Sequence, residues 1–203
     1  MKTIEIFKNR LFLKSLLIVV VLSVGSQCMG FNAVSFYLQT ILVSTETSVS
    51  AEYASVLVGV IQIVASLCTT FVTDKFGRKP ILAVTNCGVA IGMLGLGVFF
   101  KLKETMPITG FLNYLPIVSI IMIVFCFSAG MGSLFWVVAA ELFNDVCRGV
   151  GVTTNQVIST LSLFVLTKYF AQLTEIITPA ITYWIFGVNC ILICLFIVFC
   201  VPE

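Results

Sequence analysis

The sequence predicts an all-α membrane protein of six transmembrane helices, and three observations lead there. First, 60% of the 203 residues are hydrophobic and 10% charged, with a mean hydropathy of +1.15, whereas soluble domains carry about 25% charge. Second, six apolar runs reach the roughly 20 residues that a helix needs to cross a bilayer. They lie near 14–43, 53–73, 80–100, 115–140, 149–172 and 177–201. Third, the connectors are short and collect the charges, so neighbouring helices form antiparallel hairpins and both termini return to one side.

The same composition excludes other classes. The net charge is +2, with no basic stripe for nucleic acid. Histidine is absent, which removes the commonest acid–base catalyst and metal ligand. No nucleophile–base or metal-ligand set occurs, so neither an enzyme nor a cofactor is expected. The eight cysteines, at 28, 68, 87, 126, 147, 190, 194 and 200, lie in apolar runs without a CxxC and read as small packing hydrophobes. Residues 1–13 are charged, but the run after them is too long for a signal peptide and no A-x-A site follows.

Orientation follows from the basic residues in short loops. Lys2, Lys8, Arg10, Lys14, Lys75, Arg78, Lys79 and Arg148 fall on one side, against Lys101, Lys103 and Lys168 on the other. The first side, with both termini, is therefore expected in the cytoplasm.

The first run is unlike a plain anchor. Gln27, Cys28, Met29, Gly30, Phe31 and Asn32 interrupt it, followed by Phe36 and Tyr37. Amides in hydrocarbon are costly unless partnered, and they usually face a bundle interior or a water-filled cavity. Interhelical hydrogen bonding is the plainer reading; two amides beside a glycine favour a ligand site. The second run carries one amide, Gln62, which fits either reading. The third is rich in glycine (Gly88, Gly92, Gly95, Gly97), as close helix packing requires. The fourth is softened by Gly130 and Gly132 before Trp136 and Glu141. The fifth opens with Thr153, Thr154, Asn155 and Gln156, then Ser159 and Ser162, a face of small polar groups. The sixth, with Pro179, Trp184 and the Cys190/Cys194 pair, reads as a packing helix.

The charged elbows oppose their helix dipoles. Helix C-termini favour cations and N-termini favour anions by about 0.3–1 kcal/mol. Asp74 and Glu141 nevertheless close runs two and four, while Arg78, Lys79 and Arg148 open runs three and five. Pairing between helices resolves this. Exposed ion pairs add only about 0–1 kcal/mol, so the set suits a latch that opens and closes better than a static clamp.

Three motifs in order, Asp74-x-x-Gly77-Arg78-Lys79, Trp136-x4-Glu141-x6-Arg148 and the terminal Val-Pro-Glu203, join Gln27…Gly30-Phe31-Asn32. With them the chain resembles, over essentially its whole length, the C-terminal half of facilitative sugar transporters of the major facilitator superfamily. Its texture is similar to the insect trehalose and hexose branch. The resemblance implies one six-helix half of that fold, a neutral sugar as substrate, and an N-terminal half, or a second copy, as partner. It implies that Gln27 and Asn32 bond sugar hydroxyls, that Gln62 is the amide of the next helix, and that Phe127 and Trp136 bracket the sugar ring. Ser128, Asn155 and Ser159 complete the candidate contacts. Phe36 and Tyr37 belong to an outer gate, and Asp74, Arg78, Lys79, Glu141 and Arg148 to a cytoplasmic latch. Residues 1–13 resemble the end of the family's central loop, so the chain is expected to be a truncated carrier, with a sensor that binds sugar without moving it, or a truncated fragment without function, as the alternatives. The departures are Ser26 for a second Gln, Ser128 for an acid, Ser133 and Phe135 for prolines, and Ser159-Thr160 for Asn-Trp.

Overall fold

The computed structural model describes residues 10–39, 41, 51–105, 112, 114–145 and 147–200. The Val-Pro-Glu end and most of segment 1–13 lie outside the described residues. Among the described residues, six helical spans are long and apolar enough to cross a membrane: Arg10–Phe36, Ser55–Phe76, Arg78–Thr105, Leu115–Glu141, Arg148–Ile177 and Pro179–Cys200. Two of them are interrupted. The first comprises α1 (Arg10–Gln27) and α2 (Phe31–Phe36) around a turn at Gly30, whose φ of 80° lies in the left-handed region that glycine adopts without penalty. The second and third are α3 (Ala51–Phe76) and α4 (Arg78–Thr105), joined by Gly77 alone at φ 79°. The fourth is α5 (Leu115–Phe127), a π-helical turn (Ser128–Gly132) and α6 (Leu134–Glu141). The last two are α7 (Arg148–Ile177) and α8 (Pro179–Cys200). Pro179 opens its helix and Pro116 is the second residue of its own, both within the first turn, where the missing N–H costs nothing.

The third and fifth spans run past their expected ends at 100 and 172. Helical hydrogen bonding continues into polar residues where charge supports it: Lys101 Nζ meets Glu104 at 2.9 Å, three residues on. Lys168 stays inside α7 with its ammonium 5.8 Å from the Phe164 ring and 5.6 Å from Tyr169, a placement that attracts cations to aromatic faces.

The glycines of α4 do what small residues do in membrane helices, letting neighbours approach. A methyl group at Gly88 would strike Cys126, at Gly92 Ile123, at Gly95 Ser119 and at Gly97 the Trp184 indole. α4 is thereby wedged between α5 and α8. Asn86 fastens it, donating to the Cys190 carbonyl at 3.0 Å. The core gathers Met29, Met93, Leu96, Phe99, Ile123 and Tyr183, all buried. α1 lies on α7 and α8, and Asn189 donates to the Gly25 carbonyl at 3.0 Å. As first and fifth spans, α1 and α7 run parallel. Half of the most apolar stretch in each of the third and fourth spans is buried, against 11% in the second and 17% in the fifth. α3 and α7 are thus the outlying helices of the bundle.

Candidate polar site at the helix break

The break in the first span decides the site. On a continuous helix, positions five apart point about 140° away from each other. Here α1 ends at Gln27 and α2 restarts at Phe31, so Gln27 and Asn32 swing together: Asn32 Nδ2 donates to Gln27 Oε1 at 2.6 Å. Gln27 Nε2 in turn donates to Ser159 Oγ on α7 at 2.9 Å. Three uncharged side chains from both sides of the break and from α7 form one chain. Gly30 makes this approach possible twice over, through its φ and through its lack of a side chain, because a Cβ there would enter the Phe186 ring.

An aromatic wall stands beside the amides. Phe31 stacks on Phe127 with ring centroids 3.9 Å apart and planes 10° from parallel. Phe127 is the last residue before the π-helical turn that contains buried Ser128. Such turns leave backbone groups needing partners, and two hydroxyls serve them. Thr69 of α3 donates to the Ala129 carbonyl at 2.8 Å, and Ser133 to the Ser128 carbonyl at 2.7 Å. Gly130 fits against Thr85.

α7 does not present one polar face, as the sequence suggests. Thr153, Gln156 and Thr160 are exposed, while Asn155 and Ser159 are buried toward α1. Thr154, Thr160 and Ser162 turn their hydroxyls back onto carbonyls four residues earlier, the usual local alternative for such side chains. Asn155 is fully buried, and neither its Nδ2 nor its Oδ1 has a partner among the described residues. Ser23 of α1, one turn before Gln27, is in the same condition. The parallel register that pairs Gln27 with Ser159 and Tyr37 with Phe170 sets Ser23 at the level of Asn155, a second polar rung below the first. Sequence reading misses Ser23, Asn86 and Asn189 and gives Thr69, a polar residue two turns from Gln62, no role; the spacing of Ser23 to Gln27 is the available signal for the first of them.

Other expected residues are not gathered here. Gln62 is half-buried on α3 and hydrogen-bonds to nothing among the described residues. Trp136 is 40% exposed and meets Phe135 edge-on at 5.2 Å. Its ring therefore does not close the wall that Phe127 starts. Phe36 is exposed, and Tyr37 packs on Phe170 of α7 at 5.0 Å.

At the charged ends, Arg78 forms an ion pair with Glu141, joining the start of α4 to the end of α6. Each charge stands at the unfavourable end of its own helix, and each is relieved by the other. Arg148 stays local: its Nε donates to the Ala140 carbonyl at 3.0 Å and its Nη2 meets Asp145 at 2.7 Å. The free carbonyls at the end of α6 draw the guanidinium back. Asp74 and Lys79 form no ion pair among the described residues.

Known structures share this architecture. A double Trp mutant of XylE superposes with a TM-score of 0.84 at 27% identity, over 96% of this chain and 42% of that one. The major facilitator superfamily proton:xylose symporter XylE bound to 6-bromo-6-deoxy-D-glucose gives 0.79 at 27%, over 93% and 40%. The fold is one six-helix half of the major facilitator superfamily architecture. Residues 1–203 match the sugar (and other) transporter family, and the chain belongs to that family. Among its relatives, the facilitated trehalose transporter Tret1 of Anopheles gambiae is 31% identical over 195 residues, and that of Bombyx mori 31% over 200. The alignments cover 96% of this chain in both cases, and 25% and 39% of the relatives. The chain thus spans about a quarter to about two fifths of the length of the curated relatives it matches.

Proposed function

We propose that this chain is the C-terminal six-helix half of a passive carrier for a neutral sugar, a hexose or trehalose. The observation that carries the reading is the Asn32–Gln27–Ser159 chain at a helix break, flanked by the Phe31–Phe127 stack. Amides and hydroxyls both donate and accept, which is what a polyol needs, and none of the three carries a charge that would select an ion. The names of the trehalose transporters support the substrate class. The motif order through Asp74, Arg78, Glu141 and Arg148 supports the C-terminal position.

The outlying helices support a missing partner. α3 and α7 carry exposed polar residues at membrane depth, among them Ser66, Thr70, Thr153, Gln156 and Thr160. Polar residues in such helices face a bundle interior or a cavity, so these faces are where an N-terminal half, or a second copy, docks. Gln62 on α3 and the indole of Trp136 reach the sugar from that shared cavity. Asn155 reaches it from the lower rung, and Ser128 from the π-helical turn. Transport follows by rocking of one half against the other around the fixed site. Phe36 and Tyr37 close the outer side, and the Arg78–Glu141 pair, with Asp74, Lys79 and Arg148 beside it, latches the cytoplasmic side. The distribution of Lys and Arg supports cytoplasmic termini, and the plasma membrane is the family's usual location.

The test is uptake of labelled trehalose and glucose by the complete carrier, with Asn32→Ala alongside. A several-fold rise in KM at normal membrane abundance is expected. Unchanged uptake of both sugars would remove the site.

A further inference from the structure

Cys87 on α4 and Cys194 on α8 stand with their Sγ atoms 3.5 Å apart, across 107 residues of sequence. Among the described residues this is the single thiol–thiol contact, and all eight cysteines are free. Cys194 is further held by an Sγ–H contact to the Ala83 carbonyl at 3.6 Å. The two helices cannot drift apart easily, because Asn86 is bonded to the Cys190 carbonyl one turn away and Gly187 seats Leu94. The thiols are therefore preorganised, and only a short approach separates contact from the roughly 2.05 Å of an S–S bond.

Their surroundings define the chemistry that can reach them. Cys87 is exposed and Cys194 half-exposed. Val84, Ile91, Ile191 and Leu195 lie exposed around them on the same two helices, an outer apolar surface with no charged side chain. Charged reductants such as glutathione, which keep cytosolic thiols reduced, are excluded from an apolar layer by the cost of desolvating charge. Lipid-soluble oxidants concentrate in that layer.

We propose that Cys87 and Cys194 form an oxidisable dithiol on the acyl-chain face of the bundle, closed to a disulfide by a lipid hydroperoxide. In the first step the Cys87 sulfur attacks the terminal peroxide oxygen. The O–O bond breaks, Cys87 becomes a sulfenic acid, and the lipid alcohol leaves with the thiol proton. In the second step the Cys194 sulfur attacks the Cys87 sulfur, the S–O bond breaks, the S–S bond forms and water leaves. Two thiols are oxidised and one hydroperoxide is reduced to alcohol and water. The site is separate from the polar rungs and stands whether or not they bind sugar.

The test treats the full carrier in membranes with cumene hydroperoxide and maps its peptides by mass spectrometry without reduction. A Cys87–Cys194 linked peptide is expected to dominate, at a several-fold lower dose than with hydrogen peroxide. It should survive added glutathione and revert with dithiothreitol. In Cys194→Ser, Cys87 should stop at the sulfenic acid and be trapped by dimedone. No linked peptide, or equal oxidation of Cys68 and Cys200, would overturn the proposal, as would linkage that hydrogen peroxide drives equally well.

Discussion

Gln27 and Ser159 meet across 132 residues of sequence, amide to hydroxyl, at 2.9 Å. The contact fixes where the first and fifth spans touch. It also makes Gln27 the centre of the polar chain, since its carbonyl oxygen is occupied by Asn32 while its nitrogen serves Ser159. A hydrogen bond of this kind contributes about 0.5–1.5 kcal/mol net, and an orphaned buried partner costs about 1–3 kcal/mol. Loss of the central residue should therefore exceed loss of a terminal one.

That ordering is the first prediction. In the complete carrier, Asn32→Ala leaves the Gln27–Ser159 bond in place and should raise KM about two- to tenfold, at about 1.4 kcal/mol per decade. Gln27→Ala strands both neighbours and should raise KM more. Concentration-dependent uptake in vesicles measures both. The reverse order would mean that Asn32 alone touches the substrate.

Asn155 offers a test of a different sign. Its amide is buried without partners among the described residues, an arrangement that costs folding energy unless a guest supplies bonds. Asn155→Leu, which keeps the number and branching of the side-chain heavy atoms, should leave stability equal or higher, because removing an unmet polar group can be neutral or stabilising. Sugar affinity should fall. Thermal unfolding of the purified carrier with and without sugar separates the two effects. A less stable variant would show that the amide is already satisfied, for instance by water.

The Arg78–Glu141 pair should matter for rate and little for stability. Both side chains are partly exposed, 38% and 54%, and exposed pairs are worth about 0–1 kcal/mol. Arg78→Gln should leave thermal stability nearly unchanged while altering the maximal transport rate. The double swap Arg78→Glu with Glu141→Arg should recover part of that rate, as a paired latch requires. Failure of the swap with both singles impaired would point to separate roles for the two charges.

Much of the fold is legible in the sequence. Six spans follow from hydrophobic run length alone, since hydrocarbon forces every backbone group into a helix, and the glycines of α4 announce close packing by their spacing. The amides of the first span announce a polar interior because their burial is costly anywhere else. Which amides touch is not legible. Gln27 and Asn32 meet only because Gly30 is left-handed, and the sequence shows the glycine without its φ. The thiol contact is hidden for a similar reason: Cys190 and Cys194 are neighbours along one helix, but the partner of Cys194 is Cys87, set by the rotation of α4 against α8. Arg148 turns back to the Ala140 carbonyl and to Asp145, a local competition that charge counting does not weigh. Trp136 shows the same limit, because a helical position fixes depth but not direction after a π-helical turn shifts the register.

Gly30 gives the sharpest test of the break itself. A side chain there meets two separate penalties. The left-handed backbone costs a non-glycine residue about 1–2 kcal/mol, and the new Cβ would lie inside the Phe186 ring. Phe186 is buried and stacks on Phe170, so it has no free space to retreat into, and overpacking adds about 1–3 kcal/mol. Gly30→Ala should therefore lower thermal stability markedly and reduce uptake further, because straightening the span would part Gln27 from Asn32. Gly59 is the matched control: it lies within α3, and a methyl group added there would have nothing among the described residues within 4 Å. Gly59→Ala should gain about 0.5–1 kcal/mol from the stiffer helix. Melting curves of the two variants in the same detergent decide it. Equal stability would mean that the first span runs straight in the membrane, and that the polar chain is assembled some other way.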